Sequence, residues 1–452
     1  MAFSRNGILL VAMMSLALQN CQKSEQLSRS EGLMPETEIS DDSLLNLIQY
    51  QTFQYFWEGA EPVSGMARER LHLDDVYPDH PPNIITSGGS GFGLMAILVG
   101  IERGFISRNE GLARYEKIVS FLENADSFHG VWPHWWNGET GKVVPFSVRD
   151  NGGDLVESSF LAAGLLTVRQ YLNEQIPREK ELIERITMLW ENIEFDWFTK
   201  DGENVLYWHW SPEYEWEMDF DVRGYNECLI MYILAAGSPG HGVDPAVYHE
   251  GWARGGAIAR DTVFYGLRTI LDHYETNDSP VGPLFWAHYS YLGLNPKNLS
   301  DRYADYWELN VNHARINYLH CLENPNNYAG YGPDCWGLTS SYSIRGYDAH
   351  RPDNDIGVIS PTAALSSFPY TPEESMRFLR FLYTRADSLV GDYGPYDAFS
   401  IENSWYLPRY LAIDQGPIPV MIENYRTGLI WNLFMSAPEV REGLNKLGFI
   451  FE

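Results

Sequence analysis

The stretch Asp150-Asn151-Gly152-Gly153-Asp154-Leu155-Val156-Glu157 places three carboxylates within eight residues, where a glycine-bearing loop runs into an apolar helical segment. Asp154 and Glu157 are three apart, so on a helix they share one face, with Asp150 on the loop before them. Carboxylates gathered at a helix N-terminus can do acid/base work on a sugar. They can also simply cap the helix, since orphan N–H groups and the macrodipole favour Asp in a first turn. These residues alone leave both readings open.

Further candidates follow the same chemistry. Arg223-Gly224-Tyr225-Asn226-Glu227 opens another apolar run, Cys228-Leu229-Ile230-Met231. Apolar neighbours raise a carboxyl pKa by desolvation, which suits Glu227 to the role of general acid; pairing with Arg223 is the plain alternative. Asp414, in Ala412-Ile413-Asp414-Gln415-Gly416-Pro417, is either a helix cap or a second catalytic carboxylate, and Tyr396-Asp397 supplies another acidic loop. Trp132-Pro133-His134-Trp135-Trp136 and Tyr207-Trp208-His209-Trp210 are dense aromatic patches. On loops they either stack on sugar or cover the core. Candidate binding residues are therefore Trp135, Trp136, His134, Trp208, Trp210, Arg223, Tyr225, Asn226 and Tyr396.

Other chemistries find no support. Ser87-Gly88-Gly89-Ser90-Gly91-Phe92-Gly93 lacks the Lys-Ser/Thr of a phosphate loop and reads as a close backbone approach at a pocket rim. No HxxxH or HExxH spacing calls for a catalytic metal, no cofactor is expected, and no GxSxG elbow suggests a serine hydrolase. The formal net charge of −29 argues against nucleic acid, anionic membrane surfaces and polyanionic substrates such as uronates. A neutral glycan fits, as do the 15 Trp and 28 Tyr.

These side chains need a scaffold, and the scaffold reads as helical. Apolar periodicity predicts helices near 42–56, 90–104, 108–124, 153–173, 178–194, 224–236 and 259–275. Others are predicted near 302–319, 360–368, 371–388, 414–435 and 436–447. Long connections rich in Gly, Pro, Trp, Tyr and His lie at 125–150, 200–223, 320–359 and 389–413, with a hairpin expected around 205–210. The stretch 345–362, with His350, Asp353 and Asp355, reads as a rim loop. About twelve helices with such loops imply an all-α (α/α)6 toroid, its loops forming an acidic pocket at one end. No composition break marks a second domain within 41–452.

Residues 1–20 read as a secretory signal, with Arg5 before the short apolar run 8–18. Leu18-Gln19-Asn20-Cys21 resembles a bacterial lipobox, although Asn20 departs from the usual small residue. Cleavage before Cys21, lipid attachment there and a polar tether over 21–40 are expected. The protein would then be exported to the periplasm or cell surface, as an outer-membrane lipoprotein held only by its lipid and monomeric. Cys228, Cys321 and Cys335 have no zinc-site spacing and are expected as buried free thiols.

The chain resembles the bacterial "putative glucoamylase" domain family, glycoside hydrolase family 144, known from exported lipoproteins of Bacteroides-type bacteria. The resemblance is carried by Gly65-Met66-Ala67-Arg68-Glu69-Arg70, the segment 86–93, Phe128-His129-Gly130-Val131-Trp132-Pro133-His134-Trp135 and the segment 150–157. It continues through Trp208-His209-Trp210-Ser211-Pro212, Arg223–Leu229, Cys335–Thr339, Ile359–Ala364 and Ile413–Pro417, and it spans residue 42 to the C-terminus. The resemblance implies an (α/α)6 barrel and inverting hydrolysis of β-1,2-glucan, releasing sophorose or longer oligosaccharides. It puts the pocket acids on Asp150, Asp154, Glu157 and Glu227, with Asp414 as a further candidate. Glu227 is expected to protonate the glycosidic oxygen. Asp414 or Asp154 is expected as base, acting directly or through a water or sugar hydroxyl. An α-glucan hydrolase, a sugar epimerase using His134, His209 or His350, and a non-catalytic glycan-binding lipoprotein are the alternatives. Endo or exo action depends on whether a rim loop within 320–359 or 389–413 blocks the cleft.

Overall fold

Six segments buried on nearly every side alternate along the chain with six that mostly bury one face, and together they build an (α/α)6 toroid. The structure, a computed structural model, describes residues 39–77, 80–273 and 281–451. The signal segment, Cys21 and nearly all of the tether lie outside the described residues. The remainder, Asp41–Glu452, folds as one unit.

The inner segments are Ser87–Glu102, Leu155–Tyr171, Leu229–Gly237, the short turns Leu284–Ala287 and Ser290–Leu292, Pro361–Leu365, and Ala412–Gln415 continued by Pro417–Arg426. The outer ones are Asp41–Trp57, Arg108–Leu122, Pro177–Glu191, the irregular Val247–Trp252, Tyr306–Glu323 and Pro372–Thr384. Composition explains the division. Leu229-Ile230-Met231-Tyr232-Ile233-Leu234 is apolar all round and must be enclosed. Pro177–Glu191 is charged except for a stripe that buries Leu182, Ile186 and Trp190. Starts are set locally: Ser107 and Glu110 form a capping box, Asp305 caps by accepting from Glu308 N–H, and Pro177, Pro361, Pro372 and Pro417 open first turns.

Three inner helices begin directly out of short strands. Ile84–Thr86 precedes Ser87 and pairs with Trp135–Asn137; Gly153–Asp154 precedes Leu155 and pairs with His209–Trp210; Arg409–Leu411 precedes Ala412 and pairs with Arg70–His72. Loop pairing and inner-helix N-termini therefore occupy the same end of the toroid. A fourth pair, Ser340–Ser343 with Gly346–Ala349, forms a hairpin there.

Several expectations change. The glycine segment 87–93 is the start of a buried helix rather than a rim loop. Its glycines are needed because that helix lies against the Leu155 helix: a Cβ on Gly91 would overlap the Phe160 carbonyl, and one on Gly164 the Gly91 carbonyl. The helix expected near 259–275 is absent from the described part of that stretch, 259–273. Val263–Phe264 and Leu267–Arg268 form a hairpin instead, closed by Tyr265 and Gly266, both at positive φ (49° and 78°), as a type I′ turn requires. The helix expected from 224 starts at Leu229, after Gly224 at φ 77° and an Asn226 side chain that accepts from Cys228 N–H. The run 414–435 breaks at Pro417 and at Gly428, φ 72°. His209–Trp210 pairs with Gly153–Asp154 rather than forming a local hairpin. Cys228, Cys321 and Cys335 are buried and free.

The Gly91 contact is a test of this packing. Gly91→Ala should lower the urea midpoint by the equivalent of about 1–3 kcal/mol, followed by tryptophan emission. An unchanged midpoint would mean that the two helices separate without cost.

Candidate active site

At the loop-bearing end lies a cavity of about 650 Å³ whose wall includes Glu69, Glu157 and Glu227. Glu157 stands in the first turn of the Leu155 helix, and one of its carboxylate oxygens accepts the Gly88 N–H at 2.9 Å. That N–H is among the orphan donors of the Ser87 helix, so one helix start holds the acid of the next. Glycine here leaves room for the acid, since a Cβ on residue 88 would push the Glu157 carboxylate from this place.

Asp154 is fully buried and caps the Leu155 helix. One oxygen accepts Glu157 N–H at 2.9 Å; the other accepts His134 Nδ1 at 2.8 Å and Trp208 Nε1 at 2.9 Å. It is absent from the cavity wall, which corrects its candidacy as a directly acting base: its oxygens are already occupied. Asp150 is also buried, 3.1 Å from His209 Nε2. That nitrogen accepts Gly152 N–H at 3.2 Å, leaving one Asp150 oxygen without a donor.

Burial pushes the Glu227 carboxyl up to about 7, and nearby Glu157 and Asp154 add to the effect. Burial likewise raises Glu157 to about 7, against the opposing pull of His134. For His134 burial lowers the pKa, but Glu157 and the hydrogen-bonded Asp154 prevail and push it up to about 9. The imidazolium is therefore the fixed cation of this acid cluster. His134, Asp150 and Asp154 each present an atom within 4.8 Å of the others, a spacing that could hold a metal ion. His134 Nδ1 and the Asp154 oxygens are, however, committed to internal hydrogen bonds.

Asp414 is buried behind the wall, while its neighbour Ile413 lines the cavity. Burial and the adjoining Asp397 raise its pKa well above the carboxylate range; burial raises Asp397 to about 6. Neither Asp414 oxygen has a donor from elsewhere in the described residues. The two raised carboxyls adjoin each other, and Asp397 accepts Tyr342 N–H at 2.7 Å.

The binding candidates divide. Trp135 and His134 line the cavity, with Phe146 stacked on His134 at 4.2 Å. Trp136, on the opposite face of the same strand, is core: it packs on Phe121 and donates to Asp126 O at 3.0 Å. Trp208 supports Asp154 and packs on Phe220. Trp210 packs on His129 and Trp197. Arg223 pairs with Asp221 rather than with Glu227. Tyr225 is buried and donates to Asn310 at 2.9 Å, Asn226 holds the Cys228 N–H, and Tyr396 packs on Tyr410. None of these seven lines the cavity. His209 and His350 do not reach it either, which removes two of the three histidines an epimerase would use.

Comparison with known proteins agrees with this architecture. Residues 219–438 match the family model described as "Putative glucoamylase". The chain is 61% identical to the structure of an endo-β-1,2-glucanase from Chitinophaga pinensis in complex with sophorotriose and glucose, with TM-score 0.90, covering 92% of this chain and 99% of that one. The chain belongs to the β-1,2-glucanase family. A "putative glucoamylase" structure from Bacteroides fragilis is 58% identical with TM-score 0.91, covering 93% and 100%. An exo β-1,2-glucooligosaccharide sophorohydrolase (non-reducing end) from Parabacteroides distasonis is 44% identical over 90% of this chain. The chain spans 58% of that relative's length.

In this family member the cavity also uses residues that sequence reasoning passed over: Glu69 and Arg70, which pair with each other, and Tyr342, Tyr347, Trp405 and Arg409. Arg70 lies over the Trp135 ring and Arg409 over Tyr342, at 5.6 and 5.9 Å from the centroids. The hairpin Ser340–Ala349 turns at Ile344-Arg345, and Gly346 just after it, at φ 105°, is the turn signal that would have pointed to the two tyrosines.

The raised carboxyls fix the sign of a pH effect. Glu227 holds its proton more tightly in the folded chain than its ordinary 4.5 allows. Its contribution to stability is complete below about pH 4.5 and is lost as pH rises through about 7. Glu227→Gln should match the wild type near pH 4 and exceed it at pH 8 by roughly 1–3 kcal/mol in chemical denaturation. Equal stability at pH 8 would show that burial does not hold this carboxyl up.

Proposed function

We propose that this protein hydrolyses β-1,2-glucosidic bonds of β-1,2-glucan by single displacement with inversion. The reading rests on Glu227, a half-buried carboxyl on the cavity wall, unpaired with any basic side chain among the described residues and raised to about 7. A group titrating there still carries a proton near neutral pH and can deliver it to a leaving glycosidic oxygen. Membership of the β-1,2-glucanase family supports the substrate.

The base belongs on the opposite face of the sugar. Glu227 precedes the third inner helix, and Asp414 lies in the sixth, which a six-membered ring sets across its axis. The Asp397–Asp414 pair holds one proton at neutral pH and accepts a second from the attacking water. Ile413 and the tyrosines stand between it and the cavity, so the transfer runs through a bound hydroxyl or water. Glu157 and imidazolium His134 then bind sugar hydroxyls, and Trp135 offers a ring face to the pyranose.

Export, with a lipid on Cys21 as the sole membrane attachment, belongs to the same reading and rests on the leader sequence. Palmitate label should enter the wild type and not Cys21→Ala; an unlabelled wild type would remove the anchor.

Purified protein lacking residues 1–21 should cleave linear β-1,2-glucan and leave starch intact. Fresh product should carry the α-anomer in NMR. Glu227→Gln and Asp414→Asn should each lower kcat by about 10²–10⁴-fold while still binding sophorooligosaccharide. Glucose from starch with β-1,2-glucan untouched would overturn the substrate. Near-normal turnover in either variant would remove that residue from its role.

A further inference from the structure

The second aromatic patch singled out in the sequence leads away from the cavity. The strand His209–Trp210 pairs with Gly153–Asp154, and its two side chains face opposite ways. His209 turns to Asp150; Trp210 turns to Trp197 and His129, edge-on at 5.7 and 4.8 Å. Trp197 stacks on His129 at 3.7 Å yet remains 40% exposed. Trp216 stands beside it, ring centroids 6.5 Å apart and planes at 29°. The two indoles line an open cleft of about 360 Å³.

The rim of this cleft is polar and held in place. Glu194 binds His129 Nδ1 at 2.8 Å, and Asp196 binds His241 Nδ1 at 3.0 Å while accepting Trp197 N–H at 3.1 Å. Asp201 completes the rim at φ 66°. Trp216 is fixed from beneath by Phe198 and Tyr207, edge-on at 5.9 and 5.7 Å. Core packing does not account for Trp197, since its ring already has a stacking partner and still faces solvent. An exposed indole in a concave, pre-formed setting is a recognition feature.

The chemistry selects the ligand class. Flat apolar faces suit the C–H face of a pyranose, and anchored carboxylates accept its hydroxyl protons. The same carboxylates repel an anionic chain. We infer that the Trp197–Trp216 cleft is a second, non-catalytic binding site for a neutral glucan chain. That the chain is β-1,2-linked rests on the function proposed above. Because Trp210 and His209 share one strand, polymer held in the cleft stays beside the loop that carries Asp150 and Asp154.

The test uses Glu227→Gln as an inactive background, in native gels containing β-1,2-glucan or, separately, starch and cellulose derivatives. Adding Trp197→Ala or Trp216→Ala should reduce retardation by long β-1,2-glucan at least fivefold in apparent Kd. Trp197→Phe, which keeps an aromatic face, should retain most of it. In the active enzyme the same substitutions should raise KM for long glucan and leave kcat/KM for a short sophorooligosaccharide unchanged. Unaltered retardation in both alanine variants, each with a wild-type melting temperature, would overturn the site. So would an equal loss of activity on short and long substrates. If the parent is retarded only by another neutral glucan, and tryptophan removal abolishes that, the site stands and the β-1,2 assignment falls.

Discussion

The approach of the Ser87 and Leu155 helices is the constraint on which the site depends. Gly91 and Gly164 bring the two backbones together, and only at that separation does the Gly88 N–H reach the Glu157 carboxylate. The bond does two things: it satisfies a donor that the first turn of a buried helix would otherwise leave unpaired, and it sets the acid in one position on the wall. Asp154 then closes the turn that carries Glu157, and His134 and Trp208 close around Asp154. Helix packing, capping and acid placement are thus one connected arrangement.

Its electrostatics are economical. In a chain of net charge −29, Glu157 and Glu227 on the cavity wall and the buried Asp154 and Asp150 behind it gather near His134. Burial raises Glu157 and Glu227 to about 7. Burial raises Asp397 and Asp414 as well, and for Asp414 the adjoining Asp397 adds to the effect. Two groups of raised carboxyls are therefore set on different inner segments of the toroid, one on the cavity wall and one buried behind it, the separation that the proposed acid and base require.

Much of this was legible in the sequence. About twelve helical stretches joined by long aromatic-rich loops carried the toroid, and Glu227 ahead of an apolar run carried its raised pKa. The acid-rich segment was legible as both things it is: Asp154 is a cap and Glu157 faces the cavity. What escaped was long-range. Period-2 alternation separates Trp135 from Trp136 only once the strand is paired to Ile84–Thr86. The glycine run read as a loop because glycine disfavours helices locally, whereas the neighbouring Leu155 helix requires it. Tyr265-Gly266 hid a hairpin inside an apparently helical stretch. Glu69 and Arg409 reach the wall from segments far apart in the chain that no local pattern joins.

The strand-then-helix junctions described above have a consequence for divergence. The carboxylates sit on or directly ahead of inner helices, whereas Tyr342 and Tyr347 come from a hairpin with its own turn. Exchanging or lengthening the turn at Ile344–Arg345 would reshape the cavity wall at Tyr342 and Tyr347 without disturbing any helix–helix contact, yet the strand it leaves also carries the N–H that Asp397 accepts. Divergence of this wall is therefore confined to the turn, because the strand itself is tied to the buried acid pair.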